Sequence, residues 1–165
     1  MAEQHQQLVA EQDLYQVPKD KYSYFTQGTF KPTNPQKFMG RTAKYRSSYE
    51  LAFFRWADRN PNVLKWGSEN VVIPYISKVD NNVHRYFVDN FVMIKEGAVT
   101  KKYLIEIKPQ KQTVEPVITK RKKPTTILYE QTEWARNTSK WEAAQKWAKI
   151  HGMEFIILTE HDLGI

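Results

Sequence analysis

The stretch Tyr86-Phe87-Val88-Asp89-Asn90-Phe91, followed by Leu104-Ile105-Glu106-Ile107-Lys108-Pro109, decides how the rest of the chain is read. An acid interrupts the first apolar run; an acid and a lysine two residues apart interrupt the second. Both runs are rich in aromatic and β-branched residues and predict strands over 84–93 and 101–108, with Lys95-Glu96-Gly97-Ala98 carrying a turn glycine between them. Side chains on a strand alternate faces, so Glu106 and Lys108 share a face with Leu104. A hairpin closed symmetrically about Glu96-Gly97 sets Asp89 opposite Leu104 and diagonal to Glu106. A slip of one residue sends Asp89 to the other face. Three charged groups then converge in an otherwise apolar sheet, which is costly unless they are paired or bind a metal.

Outward from this hairpin, residues 47–58 predict a helix. Ser47 is its N-cap and Glu50, three residues on, the second half of a capping box; Leu51, Phe53, Phe54, Trp56 and Ala57 supply a wide apolar face. Asn60-Pro61 ends it. Val71 to Ile76 reads as a strand, placed at an edge or bulge by Pro74, and Asp80-Asn81-Asn82 as a turn. After the hairpin comes a proline-rich loop over 109–124 holding Lys120-Arg121-Lys122-Lys123. A charge run is usually a solvated face; following so soon after the acids, this one is equally well read as a phosphate contact. A short helix is expected over 125–136 and a second over 140–151, the latter with Ser139 and Glu142 as a capping box and Gly152 as its stop. Phe155 to Leu158 reads as a strand covered on both faces. The order predicts an α/β fold in which helices flank a small mixed sheet.

The whole chain has 165 residues, enough for one domain with a substantial core, and a hydrophobic fraction of 41%. A net charge of +7 favours a polyanionic partner, nucleic acid before membrane. There is no cysteine, which excludes disulfides and thiolate metal sites. No apolar run approaches the length of a membrane span, and no signal-peptide core opens the chain. Residues 1–40 read as an extended polar arm preceding a domain over 41–165. The aromatics of that arm, Tyr15, Tyr22, Tyr24, Phe25, Phe30 and Phe38, either pack on the body or dock a protein partner, the first reading being preferred.

Two carboxylates on neighbouring strands with a lysine beside one suit metal-assisted phosphodiester hydrolysis. Hard oxygen ligands hold Mg²⁺ and leave positions for water and a substrate phosphate, and Lys108 is placed to orient water or to stabilise phosphate charge. The bland alternative is an exposed cross-strand ion pair worth little, against which stands the apolar character of Val88, Phe91, Ile105 and Ile107. His5, His84, His151 and His161 show no ligand spacing, no glycine-rich phosphate loop occurs, and Ser47 and Ser48 lack a nucleophile elbow.

The succession of a helix with Glu50, a strand with Asp89, a strand with Glu106-x-Lys108, a helix and a strand resembles the PD-(D/E)xK nuclease superfamily, whose restriction-endonuclease-like core has the order αβββαβ. Within it, Tyr45-Arg46-Ser47-Ser48-Tyr49-Glu50, Trp66-Gly67-Ser68-Glu69, Ile73-Pro74-Tyr75, Arg85-Tyr86-Phe87-Val88-Asp89 and Ile105-Glu106-Ile107-Lys108-Pro109 are similar to motifs of the head completion nuclease family of T-even-type bacteriophages. A more distant likeness is to the endonuclease subunit of heteromeric transposases. Val88 stands where the superfamily's name has proline. The resemblance implies Asp89 and Glu106 as ligands of Mg²⁺, with Mn²⁺ as a substitute, Lys108 as the catalytic lysine and Glu50 as an auxiliary acid. It further implies action on double-stranded DNA after packaging, in the host cytoplasm or at the head–tail junction of the virion, beside portal or neck proteins. A non-catalytic head–tail connector or DNA-end adaptor is the alternative.

Overall fold

The computed structural model describes residues 27–165; Tyr15, Tyr22, Tyr24 and Phe25 lie outside them. Helix α1 (Ser48–Arg59) begins as its sequence predicts: the Ser47 hydroxyl accepts the Glu50 amide at 3.1 Å. The other half of the expected capping box is different. The Glu50 carboxylate reaches past Ser47 to the Arg46 amide, at 2.5 Å. The apolar face of α1 buries Phe53, Phe54, Trp56 and Ala57 against a sheet, and Asp58, wholly buried at its end, accepts the amides of Thr33 and Asn34 at 2.8 and 2.9 Å. Those bonds tie down the segment holding β1 (Gly28–Phe30), which pairs antiparallel with β2 (Ala43–Tyr45). Phe30 and Phe38 of that segment pack on the body, their rings 6.1 and 4.6 Å from that of the buried Trp66.

The main sheet has four strands in the order β3-β6-β7-β8: β3 (Val63–Ser68), β6 (Asn90–Glu96), β7 (Val99–Ile107) and β8 (Glu154–Leu158). The β3–β6 and β6–β7 pairs are antiparallel and β7–β8 is parallel, so the sheet is mixed. A parallel neighbour requires a crossover. It is supplied by α2 (Pro124–Ile150). With α1 this makes the αβββαβ order, but its first strand is β3, not the expected 71–76. Lys65 and Gly67 broke the apolar pattern there, and a register irregularity between Val63 and Lys65 accompanies the break.

The strand expected over 84–93 is two strands. Its first part, β5 (Val83–Phe87), pairs with β4 (Val72–Ile76) in a separate antiparallel ribbon, and only from Asn90 does the chain join the main sheet. Continuous apolar character hid the step at Val88-Asp89, because Tyr86 before it and Phe91 after it are both buried, one from the ribbon and one from the main sheet. Bonds from the Val88 amide to the Val71 carbonyl (3.0 Å) and from the Glu69 amide to the Asp89 carbonyl (3.1 Å) hold the step in place.

The two helices expected over 125–136 and 140–151 are one helix of 27 residues, about 40 Å long at the usual rise. Ser139 caps nothing. Its hydroxyl donates to the Ala135 carbonyl at 2.7 Å and accepts the Lys78 amide at 3.0 Å, fastening the β4–β5 ribbon to the middle of α2. The helix stops at Gly152, whose φ of +68° a side chain would resist. A short α3 (Glu160–Leu163) ends the chain. The sheet thus has two apolar faces. Tyr103, Ile105 and Ile107 of β7 point into the core with α1, while Leu104 packs with Tyr86, Val88 and Ala144 under α2 and the ribbon.

Candidate active site

Alternation along β7 places Glu106 and Lys108 with Leu104, facing α2 and the β4–β5 ribbon. The hairpin turn is Gly97-Ala98 rather than Glu96-Gly97, since Glu96 pairs with Val99; Gly97 takes a φ of +61° there. The register therefore runs Asn90 to Ile105 and Phe91 to Leu104. Extended by one rung, it sets Asp89 against Glu106 instead of Leu104. A displacement of two residues conserves the face, so the convergence expected from the sequence survives a wrong register. The Ile107 amide donates to Asp89 Oδ2 at 2.8 Å, fixing the carboxylate beside Glu106.

Glu106 is only 3% exposed. The Tyr86 hydroxyl donates to its Oε2, and Lys108 Nζ lies 3.3 Å from its Oε1. Burial and the neighbouring Glu106 charge push the Tyr86 phenol far above its usual range, so it stays a proton-bearing donor. The Asp89 carboxyl is held well above the ordinary carboxylate range, first by burial and then by Glu106, with Glu50 adding to the effect; the Ile107 amide and Lys108 oppose it. Glu50 is also raised, chiefly by burial. The Arg46 amide and guanidinium pull it down, while Glu69 and Glu106 push it up. Asp89 thus registers the charge of Glu106 and Glu50, and Glu50 that of Glu106, although α1 packs on the other face of the sheet from α2. Arg46 is meanwhile paired with Glu69.

Sequence reasoning missed Lys140. Its ammonium lies 5.5 Å from the centroid of the Tyr86 ring. Burial lowers its pKa, Glu106 resists that, and Lys108 and Arg136 reinforce it. A lysine inside a helical run carries no signal of its own in the sequence; only its position on the buried face of the unbroken α2 reveals it. The basic run lies in the loop entering α2, and its Lys122 lines a cleft together with Lys108. Lys122 is bound to the Val117 carbonyl and to Glu130 Oε2, both at 2.7 Å. Lys120, Arg121 and Lys123 are exposed.

Among the described residues no three His, Asp or Glu side chains form a ready-made metal cage. The donor set nevertheless fits a hard cation of the Mg²⁺ type. Two carboxylates are pressed together under burial, Asp89 is pushed toward protonation first by that burial and then by the Glu106 charge, and such ions need only one or two carboxylates beside water and phosphate.

Asp89 and the strand that carries Glu106 fall within a segment that a family of endonucleases matches. A family model described as "TnsA-like endonuclease N terminal" matches residues 60–160, and the chain belongs to that family. The matched segment contains Asp89, Glu106, Lys108 and Lys140 and begins after Glu50. Among individual proteins, the Head completion nuclease of Enterobacteria phage T4 is 41% identical over 143 residues, covering 82% of this chain and 92% of that protein.

Proposed function

We propose that the protein is a metal-dependent DNA nuclease and that Asp89, Glu106 and Lys108 carry its chemistry, with Glu50 assisting. The observation that carries this reading is the rung joining Asp89 to the Ile107 amide, which presses two carboxylates together where Lys108 already leans on one of them. Asp89 and Glu106 would hold a Mg²⁺ or Mn²⁺ ion, which when bound lowers the pKa of water and neutralises phosphate charge. Tyr86 keeps one oxygen of Glu106 occupied and so fixes how that carboxylate is presented. Lys108 orients the attacking water and stabilises the charge that builds on the phosphate as the new P–O bond forms and the bond to the leaving oxygen breaks. Glu50, raised toward neutrality, is suited to exchange a proton with water at the edge of the cluster.

The name of the phage relative supports a role in head completion, in which the protein trims double-stranded DNA at the portal after packaging so that a tail can join. The partners are then DNA and a portal or neck protein, met in the host cytoplasm or at the head–tail junction. Incubating purified protein with supercoiled plasmid in Mg²⁺, Mn²⁺ or EDTA tests the catalytic part. Nicking that requires the divalent ion and vanishes in Glu106→Gln and Lys108→Ala is the expected result. DNA binding without cleavage in any metal would instead make the protein an adaptor or connector.

A further inference from the structure

A cleft of about 680 Å³ opens beside Lys108, between the chain that follows β7 and the N-terminal half of α2. Three side chains of α2 line it in a graded way: Asn137 is buried, Trp134 half-buried, and Tyr129 is 68% exposed at the mouth. Asn137 as a residue is over nine-tenths buried and its side chain hydrogen-bonds to no other described residue, although its amide carries both donors and an acceptor. Such a group ordinarily finds a partner. Trp134 is steadied edge-on by Trp141 at 5.8 Å. Of the acids at the cleft, Glu130 and Glu133 are neutralised by Lys122 and Arg136, which leaves Glu115 opposing the exposed Lys111 on the rim.

Aromatic walls, lysines at the lip and an unpartnered amide inside form a combination that a rigid duplex does not use. A duplex offers phosphates to a protein surface and keeps its base faces stacked. An unpaired nucleotide offers a ring face for stacking, a polar edge for an amide and a phosphate for lysine. The volume falls in the range of sites for ligands of nucleotide size. Lys108 lines the cleft and its ammonium lies 3.3 Å from Glu106 Oε1, so the cleft adjoins the acid cluster.

We propose that this cleft receives an unpaired nucleotide of the DNA substrate, its base against Tyr129 and Trp134 and its edge at the Asn137 amide, next to the bond to be cut. The assignment rests on the nuclease reading and names the form of DNA that reading leaves open: ends or gaps carrying a single-stranded segment. The test measures binding of the full chain, in EDTA so that nothing is cut, to a fluorescent blunt duplex and to the same duplex with a short single-stranded tail. The tailed duplex should bind about tenfold tighter, the scale of one stacked base. Tyr129→Ala, at a side chain mostly in solvent, should remove most of that preference without changing blunt-duplex binding, and Tyr129→Phe should keep it. Asn137→Ala should also reduce it, with a thermal melt confirming that the variant folds. Equal binding of both DNAs by the wild type, or an equal loss on both in Tyr129→Ala, overturns the assignment. Because binding is read without metal, a protein that still nicks plasmid but shows no tail preference sinks the cleft proposal alone.

Discussion

Replacing Glu106 separates a ligand from a mere structural acid, and the choice of substitute matters. Glu106→Ala removes the acceptor of the Tyr86 hydroxyl, and Tyr86 is 3% exposed. A buried donor left without a partner costs about 1–3 kcal/mol. Relief of the repulsion between Glu106 and Asp89 offsets part of this in the metal-free protein. For a chain of this size each kcal/mol moves Tm by about 2–4 °C, so Glu106→Ala should melt up to about 12 °C lower. Glu106→Gln keeps a carbonyl for Tyr86 and also relieves the repulsion; it loses the ion pair with Lys108, a partly solvated cation. Its Tm should lie within about 4 °C of wild type, since such pairs are worth about 0–1 kcal/mol. Both variants should fail to nick plasmid. The assay is a thermal melt in EDTA and in Mg²⁺ beside plasmid nicking, with wild type alone gaining Tm from the metal. Nicking by Glu106→Gln at the wild-type rate refutes the ligand role. A Gln variant as unstable as the Ala variant refutes the account of Tyr86.

Asp89 sets a pH dependence of definite sign. A carboxyl whose native pKa lies above its unfolded value, about 3.9, contributes stability in full below that value and loses it as pH rises through the native one. In EDTA, Asp89→Asn should therefore gain Tm relative to wild type as pH increases, and a difference that shrinks instead would mean that Asp89 is stabilised as an anion. Tyr86→Phe should weaken Mg²⁺-dependent nicking while costing about 1 kcal/mol in a denaturant melt, one hydrogen bond's worth; unchanged cleavage would reduce Tyr86 to packing. Exchanging Lys120, Arg121 and Lys123 for Gln should flatten the slope of log affinity against log salt by up to about 2.7 if all three meet phosphates. Lys122→Gln should instead loosen the loop held to Glu130, visible as faster proteolysis there, and an altered salt slope with no change in proteolysis would reverse its assignment.

The acid cluster was legible because period two is robust. The assumed register was off by two residues, and the convergence of Asp89, Glu106 and Lys108 depends on parity rather than on the exact rung. Helix α1 was legible for a related reason, since a strongly amphipathic run needs no knowledge of its partner. What failed were signals whose chemistry was real but spent elsewhere. Ser139 followed by Glu142 has the composition of a cap, yet Ser139 uses its hydroxyl to hold Lys78, and Glu142 pairs with the same lysine's ammonium at 2.8 Å. Glu50 looked complete as a capping partner, and it bonds one residue beyond the cap while feeling the cluster's charge. Lys140 and Asn137 had no local signal at all, because their meaning comes from what α2 lies across.

The rung between Asp89 and the Ile107 amide also sets which changes of chain length the protein can survive. The two acids sit at the open end of a ladder whose closed end is the Gly97-Ala98 turn, and only the pairings between fix their alignment. Residues added beyond the last pair, between Glu96 and Val99, lengthen a loop in solvent and leave every rung where it was. One residue deleted from either leg, between Asn90 and Ile94 or between Lys101 and Ile105, turns one acid to the far side of the sheet and parts it from its neighbour. Length variation in the hairpin should therefore collect at its tip, and a library of single-codon deletions scored for plasmid nicking would map the boundary residue by residue.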